Sequence, residues 1–278
     1  MKNREIIRQI KGQRAVDGAG VRLVRVLGYN DVEAFDPFLM LDSFDSIDPS
    51  DYIAGFPMHP HRGIETITYL ISGKIDHQDT LGNKGSINSG ECQWMTAGSG
   101  ILHQEMPKET ERMLGFQLWL NLPQKEKMTY PAYCSITRDM IPRIKVGKAE
   151  VGILSGRFGE IAGLSPKHIP ATIYDIDIPK GEEISIPAQP DETVFVFLIE
   201  GSAVISGKSV SAKTAVLFGE GDYITVSAPP ASDLRLIFFS GKALHEPIAW
   251  GGPIVMNTNE ELMFAFRELE ENTFIKHK

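Results

Sequence analysis

Short runs in which apolar and polar residues alternate, or in which β-branched residues cluster, recur along the whole chain. Gly, Asn, Asp and Pro often separate them, as in DTLGNKG and INSG. A period of two residues is typical of a strand with one buried face, and regularly spaced short strands predict a barrel or sandwich. The predicted strands cover residues 21–28, 65–73, 115–122, 171–178, 192–201, 223–228 and 234–239.

One segment near the C-terminus has a helical pattern instead. Thr258 and Glu261 stand three residues apart in the order that forms a capping box. Leu262, Phe266 and Leu269 follow at positions i, i+4 and i+7, which share one face of a helix. We therefore predict a short C-terminal helix whose apolar face packs against the rest of the chain.

Composition and charge narrow the classes of function. The 278 residues suffice for one large or two ordinary domains, and 42% of them are hydrophobic. The formal net charge of -8 argues against a general affinity for nucleic acid or anionic membrane, because both need clustered Lys and Arg. We expect no direct nucleic-acid binding and no membrane association.

The compartment is indicated by features that the sequence lacks. The segment MKNREIIRQIKGQRAV carries charges throughout and has no apolar core, so it is not predicted to be a signal peptide. No apolar run approaches the roughly 20 residues of a membrane helix. Two cysteines, Cys92 and Cys134, do not make a disulfide framework. We expect a cytoplasmic protein.

The strongest chemical signal is a cluster of histidines. His59 and His61 stand two apart in GFPMHPHRG, and His103 and Glu105 stand two apart in ILHQEMP. Residues two apart on a strand point the same way, so two strands would aim three imidazoles and a carboxylate at one point. Such a set suits Fe, Mn, Ni, Cu or Zn. We predict a metal site here; the alternative is chance clustering of ordinary histidines.

Residues that flank these ligands receive simpler roles. Arg62 is out of phase with the two histidines before it, so we expect it to point outward into a solvated ion pair. His77 is near in sequence but is not expected to line the cavity. Phe56, Trp94 and Met95 could line an apolar cavity, although ordinary core packing is the simpler interpretation of each.

A faint internal repeat relates the two halves of the chain. HPHRGIET (59–66) can be laid over IPAQPDET (186–193), and SINSGECQWMTA (86–97) over LFGEGDYITVSA (217–228). Because both matches occur in the same order, we predict two copies of one β-barrel.

The repeat predicts that only one copy holds a metal. The residues aligned with the four proposed ligands are all apolar, and they are Ile186, Ala188, Leu234 and Leu236. We therefore predict a metal-binding barrel over residues 1–137 and a barrel without metal over residues 138–278.

These segments resemble a known family. His-X-His followed by Glu65 resembles the first cupin motif, and Gly90–Gly98 with His103 resembles the second. The departures from the general pattern, which include Thr96 in place of proline and the two-residue displacement of His103, are those of the pirins. HPHRGIETITYL, LGNKG, QWMTAGSGILHQEMP, GFQLWLNLP and GGPIVMNTNEE are all similar to pirin sequence, and the resemblance runs from about Gly18 to Phe274.

The resemblance implies an all-β fold: two tandem cupin-type β-barrels, a bicupin, with a short C-terminal helix. It implies a monomer that binds one iron ion, Fe2+ or Fe3+, in its N-terminal barrel, with other divalent transition metals as alternatives. The ligands that it implies are His59, His61, His103 and Glu105.

The fourth ligand is a choice between two carboxylates. In most cupins the Glu of the first motif, here Glu65, is a ligand, and in pirins that role passes to the position of Glu105. Simple alternation puts Glu65 on the same face as His59 and His61. We assign Glu105 as the ligand and Glu65 as an outer or cavity-lining acid of the kind that orients ligating imidazoles.

Two activities are associated with pirins. Several oxidise flavonols such as quercetin with molecular oxygen and loss of carbon monoxide, which would make this chain a quercetin 2,3-dioxygenase with a small aromatic substrate. Glu105 would then also be the catalytic base that takes the proton of the substrate hydroxyl. Other pirins regulate protein partners, and the site would then be a metal-dependent redox sensor. A purely structural metal is less favoured, because structural sites usually fill every coordination position with Cys or His.

Overall fold

β-strands dominate the computed structural model, which describes residues 1–277. In the first half of the chain the strands are β1 (Ile6–Lys11), β2 (Gln13–Asp17), β3 (Val21–Leu27), β4 (Phe38–Ser46), β5 (Phe56–His61), β6 (Ile64–Ser72), β7 (Lys74–Asp79), β8 (Lys84–Asn88), β9 (Glu91–Thr96), β10 (Ile101–Pro107), β11 (Met113–Asn121) and β12 (Ala132–Ile136).

The second half continues the same pattern. Its strands are β13 (Arg143–Val146), β14 (Ala149–Ser155), β15 (Arg157–Phe158), β16 (Ile161–Ala162), β17 (Thr172–Ile178), β18 (Glu183–Pro187), β19 (Glu192–Glu200), β20 (Ser202–Ile205), β21 (Lys208–Ser211), β22 (Thr214–Phe218), β23 (Tyr223–Ser227), β24 (Leu234–Lys242), β25 (Ala249–Gly251) and β26 (Ile254–Met256). The runs predicted from alternation correspond to β3, β6, β11, β17, β19, β23 and β24, so those predictions are confirmed.

Helices are short and few by comparison. The α-helices are α1 (Val32–Phe35) and α2 (Asn259–Glu270), and 3-10 turns lie at Tyr29–Asp31, Pro49–Asp51, Gln124–Glu126 and Arg138–Met140. Within residues 1–277, no helix has the length and apolar character needed to cross a membrane.

The chain divides into two compact units. The first unit comprises residues 14–32, 38–138 and the segment from Leu244 onward, and the second comprises residues 1–13, 33–37 and 139–243. The predicted boundary lies between residues 137 and 138. The observed boundary lies one residue later, and the chain also passes from one unit to the other after residues 13, 32, 37 and 243. One reason is that β1 pairs with β22 along an antiparallel ladder, which places the start of the chain in the second unit.

Both units have the same strand order except at one edge of the large sheet, where β12 in the first unit and β1 in the second take the same place, so the repeat is real. The first unit has a large sheet in the order β12-β9-β6-β11-β4-β3-β2 and a small one in the order β5-β10-β7-β8. The second has a large sheet in the order β1-β22-β19-β24-β17-β14-β13 and a small one in the order β18-β23-β20-β21. These sheets form the two predicted cupin barrels.

The predicted alignment of the repeat is nevertheless wrong by one strand beyond β7. In the first unit His103 of β10 lies opposite His59 of β5, and in the second Ile224 of β23 lies opposite Ile186 of β18. The positions that match His103 and Glu105 are therefore Ile224 and Val226, and not Leu234 and Leu236 of β24. The alignment slipped because the hairpin β20–β21 is shorter than β7–β8.

The C-terminal helix α2 forms as predicted. The hydroxyl of Thr258 accepts a hydrogen bond from the Glu261 backbone N–H, and the Glu261 carboxylate accepts one from the Thr258 N–H. This reciprocal cap satisfies two N–H groups that have no partner inside the helix. The half-buried Leu262, Phe266 and Leu269 pack in a cluster with β26, which confirms the packing role of the apolar face.

Candidate metal centre

Three histidines of the first unit converge on one point. The neighbouring strands β5 and β10 are paired so that His59 lies opposite His103, and His61 lies two residues farther along β5. The ligand atoms of His59, His61 and His103 all lie within 4.8 Å of one another. The ring centroids are 4.5 to 5.1 Å apart. The alternation of side chains along the two strands thus produces the predicted cluster.

Backbone carbonyls fix the orientation of two of these rings. Nδ1 of His59 lies 2.8 Å from the Pro57 oxygen, and Nδ1 of His61 lies 3.2 Å from the Pro253 oxygen. Because a carbonyl only accepts, each Nδ1 carries the proton and each Nε2 keeps a lone pair. The two Nε2 atoms are 3.0 Å apart. Two nitrogens about 2.1 Å from one ion at a right angle have about this separation.

Burial keeps the inner imidazoles neutral. Burial, and to a lesser extent the neighbouring His59, lowers the pKa of His61 to about 3. Burial also holds the pKa of His103 well below its ordinary value. Within residues 1–277, neither ring nitrogen of His103 has a hydrogen-bond partner. A buried polar atom without a partner is costly, and a metal ion would satisfy it, so the donor set fits a transition metal.

Glu105 lies beside this cluster but outside the group of converging ligand atoms. Its carboxylate accepts hydrogen bonds from the Thr68 hydroxyl at 3.1 Å and from the Gln117 amide at 2.8 Å. The register between β10 and β5 shifts between His103 and Glu105. Such irregularities re-aim a side chain relative to simple alternation. Glu105 as the fourth ligand therefore stays a prediction.

Glu65 does not share a face with the histidines, and that prediction is wrong. Its carboxylate accepts hydrogen bonds from Trp94 Nε1 at 2.9 Å and from the Thr96 hydroxyl at 2.7 Å. Thr68, which contacts Glu105, lies three residues along β6 and therefore on the other face of that strand. Alternation is interrupted because β5 ends at His61 and Gly63, with φ of +76°, turns the chain before β6.

Arg62 is buried, so the predicted solvated ion pair is also wrong. Only 1% of its surface is exposed. Its guanidinium donates to the Glu268 carboxylate at 2.6 Å and lies 4.1 Å from the centre of the Phe274 ring. Arg62 does point away from the histidines, but the C-terminal segment covers the surface that it reaches.

A cavity of about 500 Å³ opens onto His59 and His61. Apolar and aromatic side chains line part of it, and these are Met40, Phe56, Trp119 and Trp250. Polar side chains line another part, and these are Asp17, Arg25, Asp42 and Gln117. Phe56 thus lines the cavity, whereas Met95 lies in the core and Trp94 bonds to Glu65. His77 is not among the lining residues; it lies opposite Glu105 on β7 and stacks on Tyr133.

The polar wall is held together by Arg25. Its guanidinium donates to both carboxylate oxygens of Asp42, at 2.9 and 2.7 Å, and to Asp17 at 2.6 Å. None of these residues was singled out from the sequence. The alternation in GFQLWLNL does place Gln117 and Trp119 on one face of β11, which is a signal for these two. Nothing local marks Trp250, which comes from the C-terminal segment.

Similarity to known proteins shows the class of this protein and then its family. The family model for pirin matches residues 20–120, and the family model for the pirin C-terminal cupin domain matches residues 173–275. A pirin-like protein from Caulobacter vibrioides is 41% identical over 278 residues, covering 99% of this chain and 100% of that protein. A candidate quercetin 2,3-dioxygenase from Pseudomonas aeruginosa is 42% identical over 96% of this chain and 97% of that protein.

A solved structure agrees with these relatives. The crystal structure of quercetin 2,3-dioxygenase from Acinetobacter baumannii matches with a TM-score of 0.90 and 28% identity, covering 98% of this chain and 99% of that one. The fold and the histidine cluster therefore define a bicupin with a candidate metal site. The chain belongs to the pirin family.

Proposed function

We propose that this pirin is a flavonol 2,3-dioxygenase that works through one iron ion. The proposed ligands are His59, His61, His103 and Glu105. The observation that carries the proposal is the cavity of about 500 Å³, which opens onto the two histidines whose Nε2 atoms are free to coordinate. The name of the Pseudomonas aeruginosa relative and the Acinetobacter baumannii structure support the same reaction.

The cavity has the size and the walls that a flat aromatic molecule needs. Ligand cavities of 300 to 1,000 Å³, mostly apolar with a few polar groups, are typical of small-molecule sites. Trp119 meets His61 edge-on at 4.9 Å between ring centroids, and Trp250 lies 5.9 Å from Trp119. These rings would hold a planar substrate beside the metal ligands.

The polar wall favours substrates that carry hydroxyl groups. Asp17 and Asp42 line the cavity beside Arg25, which pairs with both carboxylates. Carboxylate oxygens also accept hydrogen bonds from phenolic hydroxyls, which flavonols carry.

Glu105 is the proposed general base. The hydrogen bonds from Thr68 and Gln117 hold its carboxylate in place inside the barrel. In this role a Glu105 oxygen takes the proton of the flavonol 3-hydroxyl, which makes the substrate electron-rich. Bound iron would supply Lewis acidity that lowers the pKa of that hydroxyl.

Turnover of quercetin by purified, iron-loaded protein tests the proposal. We expect dioxygen consumption with release of carbon monoxide, and no turnover by the His61→Ala variant. If protein verified as iron-loaded consumes no dioxygen with any flavonol, the enzyme proposal is wrong.

The second candidate is a metal-dependent regulator that binds a protein partner. Met263 and Phe264 favour it, because they lie 63% and 55% exposed on α2. Contiguous exposed apolar surface is typical of interaction sites, and these two are the large apolar side chains that α2 exposes. Iron-loaded protein without flavonol turnover, whose oxidation state changes its affinity for a partner, would support this function instead.

A further inference from the structure

Two buried basic side chains hold the turn that follows His61. The Arg62 guanidinium donates to the Ser99 oxygen at 2.7 Å, to Glu268 at 2.6 Å and to the Phe274 oxygen at 2.8 Å. Lys127 is equally buried, and its ammonium donates to the Gly63 oxygen at 2.9 Å. Arg and Lys are almost never fully buried unless they are paired, so both have a specific part in fixing this turn.

Many of the partners of this turn come from the C-terminal segment, nearly 200 residues away in sequence. The Pro253 oxygen accepts from His61, and the Val255 oxygen accepts from Lys127 at 2.9 Å. The Val255 N–H donates to the Arg62 oxygen at 3.1 Å. A methyl group on Gly63 would lie 1.9 Å from the Val255 oxygen, so the two backbones are in close contact. The C-terminal segment therefore touches one proposed ligand directly, together with the two residues that follow it.

Glu268 is the link between α2 and this turn. Its carboxylate is buried and accepts hydrogen bonds from Arg62 and Lys276. Removing one partner of a buried ion pair leaves the other charge uncompensated, which costs much more than losing a surface pair. The position of Arg62, and with it the backbone that carries His61, thus depends on α2 lying in its observed place.

We propose that residues 253–274 help to position the ligands of the metal centre. Within this segment, Glu268 is a positioning residue that acts on His61 through Arg62. Metal binding and the docking of α2 are then linked, so each strengthens the other. The proposal rests on the proposed function only in requiring a metal at the three histidines, and it does not require turnover.

The first test compares two glutamates of the same helix. Glu268→Gln removes the buried charge, and Glu270→Gln removes an exposed one two residues away. Competition of each protein with a chelator for Co2+ gives the affinity. Loss of a partner that is hydrogen-bonded to a metal ligand typically weakens metal binding about 10- to 100-fold. Because Glu268 acts through Arg62, we expect a loss at the lower end of that range for Glu268→Gln and none for Glu270→Gln.

The Co2+ absorption spectrum separates positioning from general destabilisation. A variant that is only less stable would have a lower melting temperature without metal but an unchanged Co2+ spectrum when folded. We expect the spectrum of Glu268→Gln to change, and that of Glu270→Gln to match the parent. Equal Co2+ affinity and equal spectra in both variants and the parent would overturn the proposal.

The second test needs no variant. Amide hydrogen exchange of the parent is measured with and without Co2+, and we expect the metal to slow exchange in α2 as well as in β5 and β10. Slower exchange in β5 and β10 alone would overturn the coupling. If Co2+ slows exchange in α2 but the protein does not turn over a flavonol, the coupling proposal is supported and the dioxygenase proposal is wrong. If the parent protein binds no metal, both proposals are wrong.

Discussion

The two barrels have matching strand arrangements, but the side chains at their buried positions differ in polarity. In the first unit, β5 and β10 carry His61, His103 and Glu105 on buried positions. In the second unit, β18 and β23 carry Ile186, Ile224 and Val226, all fully buried in one apolar cluster. Buried polar groups are costly unless a partner satisfies them, whereas apolar ones stabilise by packing. The same architecture thus supports a ligand site or a solid core, depending on a few inward positions.

The largest effect is expected from removing a proposed ligand. His61→Ala should abolish stoichiometric metal binding, because it deletes one of two Nε2 atoms that lie 3.0 Å apart. Elemental analysis after loading measures the metal content. The matched control is Ile186→Ala in the second unit, which should keep the metal; equal metal loss in both variants would contradict the division between the barrels.

Replacing the proposed base should affect turnover more than metal content. In Glu105→Gln the three imidazoles remain, so part of the iron should stay bound. Turnover per bound iron should fall about 10²- to 10⁴-fold, the usual contribution of a general base. Oxygen consumption normalised to iron content measures it, and a variant with parental turnover per iron would exclude Glu105 as the base.

A cavity in the second barrel should cost stability without touching the metal. Ile224→Ala removes a fully buried side chain at the position that matches His103. Core truncations of this kind typically cost about 2–5 kcal/mol. Denaturant unfolding and metal analysis are the two measurements, and a loss of metal in this folded variant would show that the second barrel contributes to the site.

The smallest effect is expected at Glu65, on the opposite face of β6. Glu65→Gln weakens the hydrogen bonds from Trp94 and Thr96, and disturbing a buried hydrogen bond typically costs about 1–3 kcal/mol. The free energy of unfolding should fall while the metal content stays parental. Loss of the metal from the folded Glu65→Gln protein, with retention in Glu105→Gln, would restore Glu65 as the ligand of the general cupin pattern.

Local sequence patterns predicted what depends on local geometry. Alternation and turn residues were enough for the main strands, the capping box for α2, and the spacing of His59, His61 and His103 for their convergence. Two of the predictions failed where the regular alternation or repeat of residues along the chain is interrupted. Glu65 lies on the other face because the chain turns at Gly63. The predicted alignment of the repeat is wrong because one hairpin is shorter in the second barrel.

Other features depend on contacts that are distant in sequence. Arg62 is buried because the C-terminal segment, with Glu268 and Phe274, covers it. Trp250 enters the cavity from the same segment, and Arg25 and Asp42 meet across neighbouring strands. No window of a few residues contains these pairings, so the periodicity of side chains along the chain cannot reveal them.

The location of the metal tests the central claim most directly. Crystals of the iron-loaded protein, measured at the iron absorption edge, should give one anomalous peak per chain. The account predicts that this peak lies among Nε2 of His59, Nε2 of His61, the His103 ring and the Glu105 carboxylate, with no peak in the second unit. A peak inside the second barrel, or iron that elemental analysis detects but that lies away from the three histidines, would contradict the account.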